Sequence, residues 1–239
     1  MRITPDQIIY WQWGPVSLNA TLIFTWIIIA LLTVGAHLVT RRLSSGPTIS
    51  RGQNMLEVIV LAILNQIREA SQQDPRRYLP FIGTLFIFVA TSNILAIVPW
   101  FEPPTSSLSV TIALALCVFV AVPIYGIQQK GVRAYLGQYL QPSPIMLPFN
   151  IIGEVSRTLA LAVRLFGNMM SGGMIVAMLL AIAPLFLPIV MQAFGLLTGL
   201  IQAYIFAMLA MVYIASATRA HEQTGVGRRA EHKGDAFHG

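Results

Sequence analysis

An arginine stands where a bilayer-spanning helix would have its midpoint: Arg164, within the run LALAVRLFGNMMSGG. A guanidinium at the centre of such a helix costs roughly 2.5–3.5 kcal/mol even on the mildest insertion scale, so its retention points to function. The bland alternative is a snorkelling or buried structural arginine, and the neighbouring residues weigh against it. Asn168 lies four residues on and shares its helix face, while Arg157 lies seven residues back on the same stripe. Glu154, three residues before Arg157, is within reach of an intrahelical ion pair that would neutralise that end of the stripe. Gly167, Ser171, Gly172 and Gly173 leave a surface without bulky side chains, suited either to packing within the chain or to a partner helix. On the last apolar segment Gln202 is the one strong hydrogen-bonding side chain near the middle, on a face shared with Gly195, Gly199 and Tyr213. An amide there can hold the arginine fork without cancelling its charge, leaving the cation to act on a visiting carboxylate. A glutamine satisfied by a local backbone group fits those residues equally well.

These side chains need a lipid-embedded scaffold, and the composition supplies one. Of the 239 residues 56% are hydrophobic and only 10% charged, against about a quarter charged in soluble domains. Uncharged runs such as 18–39 and 78–100 are long enough to cross a hydrocarbon core about 30 Å thick. The expected fold is an all-α integral membrane protein with five transmembrane helices, near 18–39, 78–100, 108–127, 145–183 and 185–217. Pro184 and Pro188 mark a turn between the last two, which form a long, strongly tilted hairpin because helices of that length overrun the bilayer. Residues 52–70 read as an interfacial amphipathic helix, with Asn54, Glu57, Asn65 and Arg68 on its polar face. The whole of 1–222 forms a single membrane domain, followed by a polar cytoplasmic tail over 223–239.

Charge sets the expected orientation. With five spans, Arg41, Arg42, Arg51, Arg68, Arg76, Arg77, Lys130, Arg133 and the cations from Arg219 onward fall on one side, which is therefore cytoplasmic. The N-terminus lies outside and the C-terminus inside. Val34, Gly35 and Ala36 look like a signal-peptide cleavage site, but Arg41 and Arg42 follow the apolar stretch and retain it as an anchor. The net charge of +6 comes from loop cations, with no basic stripe interleaved with aromatics, so no nucleic acid partner is expected. The single cysteine, Cys117, has no partner within the chain. No phosphate-binding loop, metal-ligand cluster or nucleophile triad is found, so neither a cofactor nor catalysis by this chain alone is expected.

RLFGNMMSGG at 164–173, joined to LIQAYIFAMLAMVYI at 200–214, resembles the last two helices of subunit a of F-type ATP synthases. SNILAIVPW, PPTSSLSVTIALAL and EVSRTLALAVRLFGN extend the similarity over most of 78–217. The resemblance implies an ion-translocating stator subunit of a bacterial plasma membrane complex, with a ring of c subunits, b-type stator subunits and the remaining synthase subunits as partners. It makes Arg164 the arginine facing the ring, Gln202 the glutamine beside it and Asn168 the asparagine of the same motif. Ions would pass through two offset half-channels, with Asn93, Glu102, Glu154, Arg157 and Gln192 as candidate lining and Gly167, Ser171 and Gly172 facing the ring. Gly173, Gly195 and Ala96 stand where relatives often carry ionisable groups. The family pattern implies proton coupling; a sodium-coupled complex and a self-contained secondary transporter are the alternatives, the last disfavoured because no internal repeat is visible.

Overall fold

The computed structural model describes residues 9–13, 16–41, 51–71, 74–98, 101–140, 145–182 and 186–219. Its helices are α1 (Ala20–Thr40), α2 (Arg51–Ser71), α3 (Leu79–Leu95), α4 (Leu108–Lys130), α5 (Val132–Leu140), α6 (Met146–Ile182) and α7 (Leu187–Arg219). Ahead of them an antiparallel hairpin pairs β1 (Ile9–Trp13) with β2 (Val16–Asn19), and β2 runs directly into α1. The helical membrane fold is as expected, with the short hairpin as an addition to it, and α5 is a helix that the hydropathy pattern does not separate from its surroundings. The tail over 223–239, Pro184, and Arg2 and Asp6 near the N-terminus lie outside the described residues.

Each packed helix carries one buried stripe at helical spacing. On α3 it is Ile82, Leu85, Val89 and Asn93; on α4, Thr111, Ala115, Val118 and Val122; on α7, Ala203, Phe206, Ala210 and Ile214. Spacings of three and four residues place each set on one side of its helix. The closest pairing is α3 against α7, with α4 and α6 completing the bundle. The other faces are apolar yet exposed, as on Leu116 and Val120 of α4 or Val155 and Leu159 of α6. Lipid, which is as apolar as leucine, is the solvent for such faces.

Among the described residues four helices are long and apolar enough to cross a membrane: α1, α4, α6 and α7. Helix α3, with 17 residues, spans about 25 Å at 1.5 Å per residue. It stops at Leu95 and gives way to turns at Ala96–Val98 instead of running on to position 100. Pro99 explains the early end, since it disfavours helical geometry in the residue before it. Helix α6, with 37 residues, measures roughly 55 Å, nearly twice the hydrocarbon thickness.

The amphipathic α2 buries Ile63 and Ile67 while Asn54, Glu57, Asn65 and Arg68 face outward. Tyr204 of α7 donates to Gln66 Oε1 of α2 at 2.6 Å. At the other end of α3, Tyr78 donates to Gln129 at 3.2 Å and Arg77 to Gln128 at 3.4 Å, fastening its start to the end of α4. Lys130 Nζ donates to the Ala217 carbonyl at 2.6 Å and so caps the last turn of α7. Gly131 ends α4 with φ +83°, a conformation in which glycine is at ease, and lets α5 fold back. Gly126 is required by the same reversal: a Cβ there would lie 2.5 Å from the ring of buried Tyr135.

Candidate functional site

Helix α6 buries only Leu161, Ala162 and Leu165 among its described side chains. Arg164 flanks this stripe, is exposed, and makes no hydrogen bond or ion pair among the described residues. Gly167 and Ser171 follow it on the same face, one and two turns on. Read backward at the same spacing, the face continues through Ala160, Ser156 and Gly153. Arg164 thus stands among small residues along α6, with Arg157 seven residues back on the same face, and Ala160, Ser156 and Gly153 are not singled out by residue type alone. The repeat of three- and four-residue steps running back from Gly167 is the signal that marks them. A Cβ at Gly167, Gly172 or Gly173 would meet nothing within 4 Å. Close packing inside this chain therefore does not account for these glycines; Gly172 and Gly173 border the cavity described next.

Beside this face, a cavity of about 370 Å³ lies between the end of α3, the second half of α6 and the first half of α7. Its lining includes Asn93, Ala96, Asn168, Ser171, Gly172, Gly173, Gln192, Gly195 and Thr198. The three positions Ala96, Gly173 and Gly195, distant in sequence, come together here. Asn168 joins the two features: it lines the cavity and stands one turn from Arg164. No Asp, Glu, His, Lys, Arg, Tyr or Cys is present among the lining residues. The polar groups are neutral amides, hydroxyls and main-chain carbonyls; Gln192 Nε2, for one, donates to the Ala96 carbonyl at 3.4 Å. Such groups can solvate a cation or a water file, but they cannot store a proton at ordinary pH.

Gln202 faces the bundle, 7% exposed, and its Nε2 is buried without a hydrogen-bond partner among the described residues. It is not bonded to Arg164, in contrast to the expected pairing; the glutamine lies on the buried seam of α7 while the arginine points off the exposed face of α6. Asn93, 2% exposed, donates through Nδ2 to the Gly199 carbonyl of α7. Its Oδ1 is buried and unpartnered, as are Ser92 Oγ and Thr105 Oγ1.

The remaining candidates are placed elsewhere. Glu154 and Arg157 do not form the expected ion pair; Arg157 leans across to α7 and sits 6.0 Å from the centre of the Tyr213 ring. An aromatic face one helix away competes with a carboxylate on the same helix because both attract a guanidinium. Glu102 is half-buried in the segment before Pro104, and Pro103 lines the cavity where Glu102 does not. A second cavity of about 200 Å³ between α4 and α6 is lined by Ile112, Leu116, Phe119, Val155 and other apolar groups with Thr158. It holds none of the candidate residues.

A helical bundle with exposed apolar faces and an exposed arginine in the middle of its longest helix, beside a largely apolar cavity that carries a few neutral polar groups, defines a polytopic membrane protein with an intramembrane cation. Comparison with known proteins narrows that class. Residues 22–215 match the family model described as ATP synthase A chain. The chain is 66% identical to ATP synthase subunit a 2 of Acaryochloris marina over 222 residues, covering 93% of this chain and 95% of that one. It is 60% identical to ATP synthase subunit a of Albidiferax ferrireducens, over 93% of this chain and 96% of the relative. Identity to the Nitrosospira multiformis subunit a is 59%, over 91% and 87%. The chain belongs to the ATP synthase A chain family.

Proposed function

We propose that this chain is the ion-conducting stator subunit of a rotary ATP synthase in a bacterial plasma membrane, facing a ring of c subunits and held by b-type subunits. The carrying observation is Arg164, exposed among small residues in the middle of α6 and unpaired among the described residues. A fixed cation there lowers the pKa of a carboxylate that rotates past it, so the carboxylate releases its ion at the arginine. Guanidinium stays charged at any physiological pH, so the same group bars ions from leaking directly between two offset half-channels. The cavity beside Asn168 suits the outer half-channel, with Asn93 and Gln192 as lining. In this reading α3 is the fifth span, the N-terminus is outside, the C-terminus is cytoplasmic, and α6 and α7 tilt to fit their length into the bilayer.

Proton coupling follows the family pattern. A second reading, sodium coupling, is favoured by one observation: the cavity lining carries no titratable side chain. Neutral oxygens are ligands for a hard cation and offer no site that stores a proton at ordinary pH. ATP-driven ion pumping in vesicles carrying the whole complex tests both, with the native chain compared to Arg164→Ala in the presence and absence of sodium. Loss of pumping from an assembled Arg164→Ala complex is expected; survival of pumping overturns the role of Arg164. Dependence on added sodium selects the second reading, and pumping without sodium the first.

A further inference from the structure

Two buried polar atoms of opposite kind lie close in the fold, one on Asn93 of α3, which packs on Gly199 of α7, and one on Gln202 a turn further along α7. Asn93 Oδ1 is an acceptor and Gln202 Nε2 a donor, and neither has a partner among the described residues although their side chains are 2% and 7% exposed. Asn93 is pinned by its Nδ2, which donates to the Gly199 carbonyl and thereby fixes which way the amide oxygen points. Gln202 is one turn beyond Gly199 on α7, and a helical side chain leans toward the turn before its own Cα, here the turn that Asn93 touches. Gly199 is what allows the approach: a Cβ at that position would sit 3.1 Å from the Cβ, Cγ and Nδ2 of Asn93.

We propose that this junction is a binding site for one water molecule, which accepts from Gln202 Nε2 and donates to Asn93 Oδ1. A site with a donor on one side and an acceptor on the other matches water and not a bare metal cation, which needs acceptors all round. Leaving both groups unpaired would cost the desolvation of each, whereas one water satisfies both. Because Asn93 also lines the cavity, the water forms the inner end of that space and holds the Gln202 amide in one orientation. Asn93 and Gly199 are then positioning residues: the first fixes the water, and the second makes room for the first. The water's place in ion passage rests on the function proposed above; its existence does not.

A cryo-electron microscopy map of the assembled complex, at a resolution that shows ordered water, gives the direct test. Density within hydrogen-bond distance of both Asn93 Oδ1 and Gln202 Nε2 is expected; a direct Asn93–Gln202 bond with no density between them overturns the proposal. In vesicles, Asn93→Ala and Gly199→Ala should each slow ATP-driven pumping about three- to tenfold, the worth of one hydrogen bond in the path. The double variant should be no slower than Asn93→Ala, because both changes remove the same water. Penalties that multiply instead refute the shared site. Arg164→Ala, measured alongside, separates the two readings: if it pumps like the native complex, the ion-path role fails while the map still decides the water.

Discussion

Replacing Gly167 with leucine isolates the Arg164 face of α6 from everything else in the chain. A Cβ at Gly167 meets nothing within 4 Å and the position is exposed, so the substitution should leave this chain's own packing intact. Its effect falls on whatever helix approaches Arg164, one turn earlier on the same face. Helix axes separate by 8–10 Å according to the side chains at their contact, and replacing a glycine with a leucine moves a neighbour outward by about 2 Å. A carboxylate about 4 Å from the arginine gains about 4 kcal/mol at an effective dielectric of about 20; at about 6 Å it gains about 2.8 kcal/mol. The difference, about 1.4 kcal/mol, is about one pKa unit on the passing carboxylate or a tenfold loss in ion release. ATP-driven pumping should therefore fall about tenfold, while the thermal stability of the purified subunit shifts by less than about 0.5 kcal/mol. Native pumping by Gly167→Leu would refute the assignment of this face to a partner.

Other consequences are equally open to measurement. Lys130→Met removes the cap on the Ala217 carbonyl, and hydrogen exchange of the amides in the last turn of α7 should speed up about tenfold or more, the worth of a bond from a charged donor. Gly173→Glu places a carboxyl in a cavity that has no titratable lining; a desolvated carboxyl titrates above its usual range, so pumping measured from pH 5 to 9 should gain a titration step that the native protein lacks. Glu154→Gln should leave stability within about 0.5 kcal/mol, because Glu154 holds no ion pair with Arg157 and surface substitutions without such partners are near neutral; a loss of several kcal/mol in a thermal melt would restore the pair that the structure lacks.

Hydropathy made the apolar segments legible because lipid demands long uncharged runs, and Arg164 stood out because the same demand makes a central charge costly. The amphipathic character of α2 was legible for a related reason: Glu57 and Arg68 recur at helical spacing while Ile63 and Ile67 take the other side. Periodicity, however, says which residues share a face and not what that face meets. Gln202 shares a face with Gly199, and that face turned out to meet Asn93 of α3 and not Arg164. Arg157 found the Tyr213 ring one helix away in preference to Glu154 in its own turn. The β1–β2 hairpin was hidden because its strands, five and four residues long, are too short to show an alternating pattern, and α5 because nine residues are too few to show a helical period. The assembly of Ala96, Gly173 and Gly195 around one cavity depends on three helices meeting, which no local pattern records.

The scant support that α6 receives from its own chain bears on how the protein is made. Among its described side chains only Leu161, Ala162 and Leu165 are buried by this chain, so without a neighbour most of α6, and the Arg164 guanidinium with it, is left to acyl chains. Snorkelling and local thinning of the bilayer would relieve that arginine by rocking α6 away from its working tilt. If Arg164 faces a ring as proposed, α6 takes its working tilt only alongside the neighbour that receives that arginine, and assembly precedes the working shape.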